Sequence, residues 1–342
     1  VGTGYNACDF STGTGTTDFA CNQIWTQTGG IAAAGSSGTG TGTVTTMKIG
    51  LLNPITGPIA VYADGFEEAA QVAIDRLNAL DPAYQFELVV ADSGCDGTQA
   101  ATAAQTLVDA GVVAIAGAAC SGATLGAIAV AKEAGVPMVS YASTSPAVTT
   151  ADDGGHLFRV VPSDAQQSVA LKDVVVAAGV SNPAVLYMTN DYGSGLADNF
   201  EAAWDGSLCA KAGYDPEAVD ASTLAGQIAS CDSVVLVSYA TDGAAIIEEL
   251  ATQGWTGKIF GADGIADANF GNAFSDNSTL NNVVATKPRP AGGSALKAYF
   301  NSVFTNTSAI YTHETFDAIT VIGMAAMMED GANMKMHIKM VG

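Results

Sequence analysis

Apolar residues follow two alternating spacings along the chain from Met47 onward. Short runs such as MKIGLLN, FELVVAD and VVAIAGA are continuously apolar, which is typical of strands buried on both faces of a sheet. Between them, segments such as GFEEAAQVAIDRLNAL carry apolar residues at helical spacing and place their charges on the opposite face. The repeated strand–helix order predicts an α/β fold with parallel sheets covered by helices.

This alternation occurs twice in the chain. One unit runs from MKIGLLNPITG to VPMVSYAS, and another of similar size runs from QQSVALKDVVVAAG to KIFGADG. Between the two units, HLFRVVPSD is an extended stretch that suits a crossover. We therefore predict two doubly wound lobes, in which a ligand lies beyond the carboxyl ends of the strands, where loops meet helix N-termini.

The N-terminal segment, residues 1–46, does not follow this rhythm. It is rich in Gly and Thr, and FACNQIW is its one recognisable strand. The stretch from Gly35 to Thr46, GSSGTGTGTVTT, has the composition of a flexible linker, with a natural low-complexity lead-in as the alternative. The chain begins at Val1 and shows no signal peptide, as expected of a processed or cut chain.

One uncharged run, from Ala110 to Ala131, is long enough to resemble a membrane span. Its centre is the turn sequence AACSGATLG, whose Gly and Ser residues favour a strand, a tight turn and a helix instead.

Composition and charge narrow the classes of function. The 342 residues suggest about two domains, and a hydrophobic content of 48% is enough to build a large core. Twelve basic and 34 acidic residues give a formal net charge of −22. This excess of acid argues against a nucleic acid or an anionic membrane as partner, because both select basic surfaces.

The six cysteines fall in three successive couples, and none forms a C-x-x-C pair. The economical hypothesis is three disulfides in an oxidising compartment, with six buried thiols in a cytosolic protein as the alternative. The couples are Cys8–Cys21, Cys95–Cys120 and Cys209–Cys231.

Signatures of an enzyme are weak. The three histidines, His156, His313 and His337, are scattered, and the chain contains no H-E-x-x-H, G-x-S-x-G or Walker A sequence. The glycine repeats near 38–42 lack the preceding strand and following helix of a dinucleotide site. We therefore predict no catalytic residue, no metal site and no cofactor.

Signatures of a binding site are stronger. AGAACSGATLG places Ser121 at the start of a helix, where free N–H groups suit a carboxylate, and SYASTSPAV ends a strand with Ser143 and Thr144. In the second lobe, Tyr192 follows one strand and Asp263 lies in a turn after another, where it could accept from an ammonium. A plain N-cap serine and a structural turn aspartate are the alternatives. Opposed carboxylate and ammonium sites describe an amino-acid clamp.

The ordered motifs resemble the branched-chain amino-acid type of periplasmic solute-binding protein, the type I class that serves ABC transporters. The matching sequences are IGLLNPITGPIAVYADG, ELVVADSGCD, AIAGAACSGAT, AGVPMVSYASTSPAVT, LFRVVPSDAQQ, NDYGSGLA and FGADG. The resemblance extends from Met47 to about Met328. It implies a Venus-flytrap fold, with two lobes joined by three crossovers that close on one ligand.

The resemblance also implies a role for several residues. Ser121 and Thr144, with the backbone of Ser143, hold the α-carboxylate of the ligand, and Asp263 holds the α-ammonium. Tyr192 closes over the ligand.

Other matches concern the pocket wall and the disulfides. Tyr62 in VYADG forms part of the wall, and Cys95 and Cys120 match the disulfide positions of the family. Ala240 stands where some relatives carry a second tyrosine, which leaves the side-chain pocket undefined.

The two ends of the chain depart from the family pattern. The C-terminal sequence HIKMVG stops before the tail that family members carry, while the N-terminal sequence VGTGYNACDFSTGTGTTDFACNQIW resembles that tail. We therefore expect a circular permutation. An engineered sensor module explains it more simply than a natural rearrangement does. The expected lobe one comprises residues 1–21, 47–159 and 287–342. Lobe two comprises residues 22–34 and 160–286, and residues 35–46 link the original termini.

The function expected from these features is high-affinity reversible binding of an amino acid, by hinge closure without catalysis. The protein would be an exported, periplasmic monomer that delivers its ligand to a membrane ABC permease and has no nucleic-acid partner. A ligand-sensing domain built on the same clamp is the alternative, and an α/β enzyme is a remote one. Arg159 need not face the ligand, and with few cations in the chain a ligand with a neutral side chain is favoured over an acidic one. Small, polar and aliphatic amino acids and γ-aminobutyrate all stay open as ligands.

Overall fold

The computed structural model describes residues 4–9, 20–26, 30–33, 44–289, 295–304, 310–328 and 330–341. The chain divides into two compact units, Val1–Thr43 and Val44–Gly342. In the first unit, three strands form an antiparallel sheet in the order β1-β2-β3, and the second of them contains most of the predicted strand FACNQIW. The strands are β1 (Gly4–Asp9), β2 (Ala20–Thr26) and β3 (Gly30–Ala33).

Several predictions for the first unit concern parts of the chain outside the described residues. The side chains of Cys8 and Cys21 are among them, and so are residues 1 and 342, on whose positions the expected circular permutation depends. The pairing of these cysteines, the permutation and the division of residues 1–34 between the lobes stay predictions.

The second unit contains two lobes, each built on a five-stranded parallel sheet. Lobe one has the strand order β5-β4-β6-β7-β8, and its helices follow the strands in sequence. The strands are β4 (Thr45–Asn53), β5 (Tyr84–Asp92), β6 (Val112–Ala116), β7 (Met138–Ser140) and β8 (Leu157–Arg159). The helices are α1 (Ala63–Leu80), α2 (Gly97–Asp109), α3 (Ser121–Ala134) and α4 (Pro146–Thr150).

Strand β4 begins at Thr45, so the predicted linker 35–46 is wrong at its C-terminal end. Thr45 and Thr46 pair with Tyr84 and Gln85 of β5 and extend the ladder by two residues. Their β-branched side chains suit a strand, whereas their composition alone had suggested a linker.

The order of lobe two is β10-β9-β11-β12-β13, again entirely parallel. Its strands are β9 (Ala184–Met188), β10 (Ala210–Tyr214), β11 (Ser233–Val237), β12 (Lys258–Gly261) and β13 (Val283–Ala285). Its helices are α5 (Asp164–Ala177), α6 (Asp191–Ala203), α7 (Ala221–Gln227) and α8 (Ala240–Thr252). The predicted α/β class with two doubly wound parallel sheets is therefore confirmed.

After β13 the chain returns to lobe one. The remaining helices are α9 (Ala295–Val303), α10 (Thr312–Ala326) and α11 (Met334–Val341). Helix α10 packs on α1 and against the lobe-one sheet, and the guanidinium of Arg76 in α1 lies 4.1 Å from the ring centroid of Tyr299 in α9. This return places the residues just before α10 at the edge of the space between the lobes.

The central strands are buried as their composition predicts. Every residue of β11 is buried, and β6 is buried except for the partly exposed Val113. The apolar run from Ala110 to Ala131 folds as β6, a turn and α3, as predicted. Among the described residues, no helix is long and apolar enough to cross a membrane.

Candidate functional site

A cavity lies between the lobes, at the carboxyl ends of the central strands. In lobe one, β6 leads to the N-terminus of α3, and in lobe two, β9 and β11 lead to Tyr192 and Tyr239. These strands flank the position where the strand order reverses, which is where doubly wound sheets bind ligands. The cavity is lined by Ile59, Tyr62, Phe66, Ala119, Cys120, Ser121, Ala142, Tyr192, Tyr239, Asp263, Gly264, Ile310 and Tyr311.

The lobe-one wall presents the N-terminus of α3 to the cavity. Cys120 occupies the N-cap position and makes no side-chain capping bond, so the first N–H groups of the helix lack the usual side-chain acceptor. The hydroxyl of Ser121 accepts a hydrogen bond from the backbone N–H of Ser145 at 3.2 Å and lines the cavity. Uncapped N–H groups and the helix dipole favour an anion at this position.

Ser143 lies behind the cavity wall. Its hydroxyl bonds the carbonyls of Ala118 and Ala119, at 3.0 and 3.2 Å, and its backbone N–H donates to the hydroxyl of Ser140 at 3.0 Å. The structure thus does not bring Ser143 to the cavity, and Ala142, one residue earlier, lines it instead.

Thr144 is also buried behind the wall, next to the first turn of α5. Its carbonyl accepts from the N–H of Asp164 at 2.8 Å. Its hydroxyl lowers the pKa of the Asp164 carboxyl, yet no hydrogen bond of ordinary geometry joins the two groups. The Thr144 hydroxyl therefore has unused capacity for a hydrogen bond.

Arg159 supports this wall and is not among the residues that line the cavity. Its guanidinium donates to the carbonyls of Ser143 and Ser145, at 3.2 and 2.9 Å, and also bonds the hydroxyl of Thr149. These bonds fix the turn between β7 and α4, and no Lys or Arg is among the described residues that line the cavity.

Asp263 provides the acidic group of the opposite wall. It is buried, and its carboxylate accepts from the hydroxyl of Tyr192 at 2.8 Å and from that of Tyr311 at 2.6 Å. Burial raises the pKa of this carboxyl, while the hydrogen bonds from Tyr311 and Tyr192 lower it. The two hydroxyls therefore favour the charged form of an otherwise desolvated group.

A second buried carboxyl, Asp164, lies near Asp263. Burial raises the pKa of Asp164 well above its ordinary value, and the charge of Asp263 raises it further. Neither carboxylate oxygen of Asp164 has a hydrogen-bond partner among the described residues, and the same holds for the amide oxygen of Gln167 one turn later. Asp164 and Gln167 are not among the residues that line the cavity, so these acceptors lie behind the wall that Asp263 forms.

Aromatic rings form much of the remaining wall. The rings of Tyr192 and Tyr239 are stacked, with centroids 5.6 Å apart and planes 6° apart. Tyr62 and Phe66 line the lobe-one side, and their ring centroids are 6.2 Å apart. With Ile59, these side chains leave an apolar space for the side chain of a ligand.

The two lobes also touch directly beside the cavity. Helix α6 of lobe two packs against α3 and α4 of lobe one. A Cβ atom on Gly122 would lie 3.0 Å from the Asp191 carboxylate, and one on Gly195 would lie 2.9 Å from the Ser145 hydroxyl. The lobes therefore approach each other so closely here that a side chain at either glycine would require the contacting groups of the opposite lobe to shift.

Disulfides join Cys95 to Cys120 and Cys209 to Cys231, in the pairs that the sequence favours. The first pair borders the cavity, because Cys120 lines it and the sulfur of Cys95 lies 3.9 Å from the hydroxyl of Tyr239. The second pair lies within lobe two, between the start of β10 and the start of β11.

Removing either disulfide by paired Cys→Ser substitution is expected to lower the free energy of unfolding by about 3 kcal/mol, because the unfolded chain then regains the entropy of an open loop. The two losses should be alike, because the bonds span similar sequence separations of 25 and 22 residues. Only the loss of the Cys95–Cys120 bond is expected to weaken ligand binding as well, because it releases the N-terminus of α3. Chemical denaturation and calorimetry on the two double variants check this. Equal affinities in both variants would contradict it.

Sequence reasoning missed several residues of the cleft. Tyr239 lies in the turn after the buried strand β11, and Tyr192 lies at the start of the helix that follows β9, so the position after a strand end is a signal which could have identified Tyr239. The expectation centred on Ala240, yet the tyrosine beside it lines the cavity. Tyr311 carries no such signal, because no strand-like apolar run directly precedes it in the sequence and it reaches Asp263 across 48 positions. No group of metal-ligating side chains was found in the part of the chain that the structure describes.

The fold and the cleft are those of a type I periplasmic binding protein. The family model described as "Receptor family ligand binding region" matches residues 66–330, which is more than half of the chain, so the chain belongs to this family.

Curated relatives and solved structures agree with this assignment. Leu/Ile/Val-binding protein homolog 3 of Brucella melitensis is 26% identical over 78% of this chain and 76% of its own length. The leucine-, isoleucine-, valine-, threonine-, and alanine-binding protein of Pseudomonas aeruginosa is 26% identical over 81% and 77%. The crystal structure of the substrate binding protein LivJ of Streptococcus pneumoniae, in complex with isoleucine, has a TM-score of 0.75 at 24% identity and covers 86% of this chain and 87% of that one.

Proposed function

We propose that this protein binds an amino acid between its lobes and releases it unchanged to a membrane ABC permease. The observation that carries this proposal is the pair of opposed charge sites: the uncapped N-terminus of α3 with Ser121 on one wall, and the Asp263 carboxylate on the other. A zwitterion matches both at once, since its carboxylate meets N–H donors and its ammonium meets acceptors.

The residues around these two sites support a neutral ligand side chain. The wall formed by Ile59, Tyr62 and Phe66 is apolar or aromatic, and no basic residue among those lining the cavity could pair with an acidic side chain. The names of the relatives fit, because they bind leucine, isoleucine, valine, threonine or alanine. An aliphatic amino acid of moderate size is the ligand that this wall favours.

The proposed mechanism is closure of the two lobes on the ligand without catalysis. The carboxylate docks on lobe one, and Asp263 and Tyr192 of lobe two then bind the ammonium and favour the closed state. Binding energy thus becomes a change of shape that a permease can distinguish. We place the protein outside the cytoplasm, because its two described disulfides support an oxidising compartment.

Isothermal titration calorimetry with the twenty common L-amino acids and γ-aminobutyrate tests the proposal. At least one aliphatic amino acid is expected to bind, while 4-methylpentanoate and 3-methylbutylamine, which lack the ammonium and the carboxylate of leucine, are expected to bind at least a hundredfold more weakly. Thermal stabilisation by sugars or nucleotides, with none by any amino acid, would overturn the proposal.

A further inference from the structure

Tyr311 connects the two walls of the cleft. It lies immediately before α10 of lobe one, and its carbonyl accepts from the N–H and hydroxyl of Thr315 in that helix, at 2.9 and 2.8 Å. Its hydroxyl donates across the cleft to Asp263 of lobe two at 2.6 Å. The preceding residue, Ile310, likewise donates its N–H to Asp267 at 2.8 Å. The turn that carries Asp263 is therefore held by residues of the opposite lobe.

The backbone of Tyr311 has an unusual conformation. Its φ angle is +63°, in the left-handed region that bulky residues rarely adopt, and it occupies the N-cap position of α10 without a side-chain capping bond. A left-handed residue changes the direction of the chain, and here the side chain points into the cavity instead of capping its own helix. Strained positions of this kind cluster at ligand sites.

We propose that Tyr311 is a positioning residue that orients the Asp263 carboxylate toward the ligand ammonium and completes the ammonium site when the lobes close. This inference rests on the proposed amino-acid binding. It adds one residue to the site and a link between lobe closure and the ammonium site. Asp263 receives one hydroxyl on each oxygen, from Tyr192 of its own lobe and from Tyr311 of the other. Because each carboxylate oxygen has two lone pairs, both retain room for the ammonium.

The hydrogen bond from Tyr311 also affects the charge of Asp263. It lowers the pKa of the carboxyl, which burial raises, so its loss moves that pKa upward. Burial raises the pKa of Tyr192, Tyr239 and Tyr311 around Asp263, so these tyrosines stay neutral at physiological pH. The charged groups near this site are Asp164, on whose pKa Arg159 acts, and Asp267, which accepts from the N–H of Ile310.

The test compares wild-type protein with Tyr311→Phe, using the tightest-binding member of the amino-acid panel between pH 5 and 8. An ammonium needs the ionised form of Asp263, so binding weakens as this carboxyl is protonated in acid. Tyr311→Phe is expected to bind about tenfold more weakly at pH 7, and its loss of affinity in acid is expected to begin about one pH unit higher.

The matched control is Tyr84→Phe. Tyr84 also donates to an aspartate, Asp330, at 2.9 Å, but it lies at the amino end of β5, opposite to the cleft. Its loss is expected to leave both affinity and pH profile unchanged. Tyr311→Asn serves as a second variant, because asparagine tolerates the left-handed conformation and lacks the hydroxyl; it is expected to show the same acid shift.

The outcomes separate the two proposals. Wild-type affinity and pH profile in Tyr311→Phe would overturn the role of Tyr311 and leave amino-acid binding intact. Weaker binding with an unchanged pH profile would mean that Tyr311 has only a structural role, and this would also overturn its proposed role in positioning Asp263. Failure of every amino acid to bind the wild-type protein would instead overturn the proposed function, and the inference with it.

Discussion

Replacement of Asp263 by asparagine is expected to weaken amino-acid binding by about a hundredfold or more. The substitution keeps the shape of the side chain and removes the one charged group that the described residues of lobe two contribute to the cavity lining. Loss of one partner from a buried charge pair costs about 2–5 kcal/mol, because the ligand ammonium is left without its counter-ion in a desolvated site. Isothermal titration calorimetry with the amino-acid panel measures the loss directly.

The control for this substitution is Asp317→Asn. Asp317 is a partly buried aspartate of α10, and it is not among the residues that line the cavity. Burial raises its pKa to about 6, so its charge is also held in a desolvated place. The amide at this position is expected to leave affinity unchanged. Equal affinity of the Asp263 variant and the Asp317 variant would remove the ammonium assignment.

The behaviour of Asp263 depends on features that no local sequence pattern contains. FGADG predicts a turn after a strand, and that prediction is correct, but the two tyrosines that contact the carboxylate come from 71 and 48 positions away. Motif reading identified Tyr192 because NDYG follows a strand. It did not identify Tyr311, because no apolar run typical of a strand directly precedes this residue in the sequence.

The fold was more accessible to sequence reasoning than the site. Continuously apolar runs separate buried strands from amphipathic helices, and the position of each strand end then follows from the doubly wound topology. The shortest strand of lobe two, Val283–Ala285, was not predicted, because three residues are too few to show a periodicity. Its pairing with β12 is decided by tertiary structure.

Sequence reasoning also could not decide which single residue of the lobe-one wall meets the ligand carboxylate. The sequence SYASTSP correctly indicates a polar strand end, yet whether residue 142, 143 or 144 meets a ligand depends on how the turn bends. In the structure, the Ser143 hydroxyl bonds the Thr124 hydroxyl at 2.8 Å and faces away from the cavity that Ala142 lines. Such inward bonds follow from packing against α3.

Lobe closure combines these features into one mechanism. Ligand contacts come from both lobes, and Tyr311 of lobe one reaches Asp263 of lobe two, so the full set of bonds exists only when the lobes are together. The observed affinity therefore contains the free energy of closing as well as that of the contacts. Substitutions that obstruct closure should weaken binding without touching the ligand.

Gly195→Val is expected to weaken amino-acid binding at least about tenfold by this route. A Cβ atom at Gly195 would already lie 2.9 Å from the Ser145 hydroxyl and 3.1 Å from the Pro146 ring, both in the opposite lobe, and valine adds two methyl groups to it. A Cβ atom at Gly193, two residues earlier, would instead clash with the backbone of Met188 in its own lobe, so a substitution of Gly193 would disturb folding. A substitution at position 195 therefore affects closure of the lobes without disturbing the packing within lobe two.

Gly226→Val is the matched control for Gly195→Val. Gly226 also lies in a helix of lobe two, and a Cβ atom there meets nothing within 4 Å. Both variants replace glycine by valine within a helix, a change that intrinsic helix propensity slightly favours in each case, so their melting temperatures without ligand should agree. In small-angle scattering, the contraction on adding the amino acid should persist in the Gly226 variant and diminish in the Gly195 variant. If both variants contract and bind alike, contact between α6 and α4 does not limit closure, and the affinity arises from the ligand contacts alone.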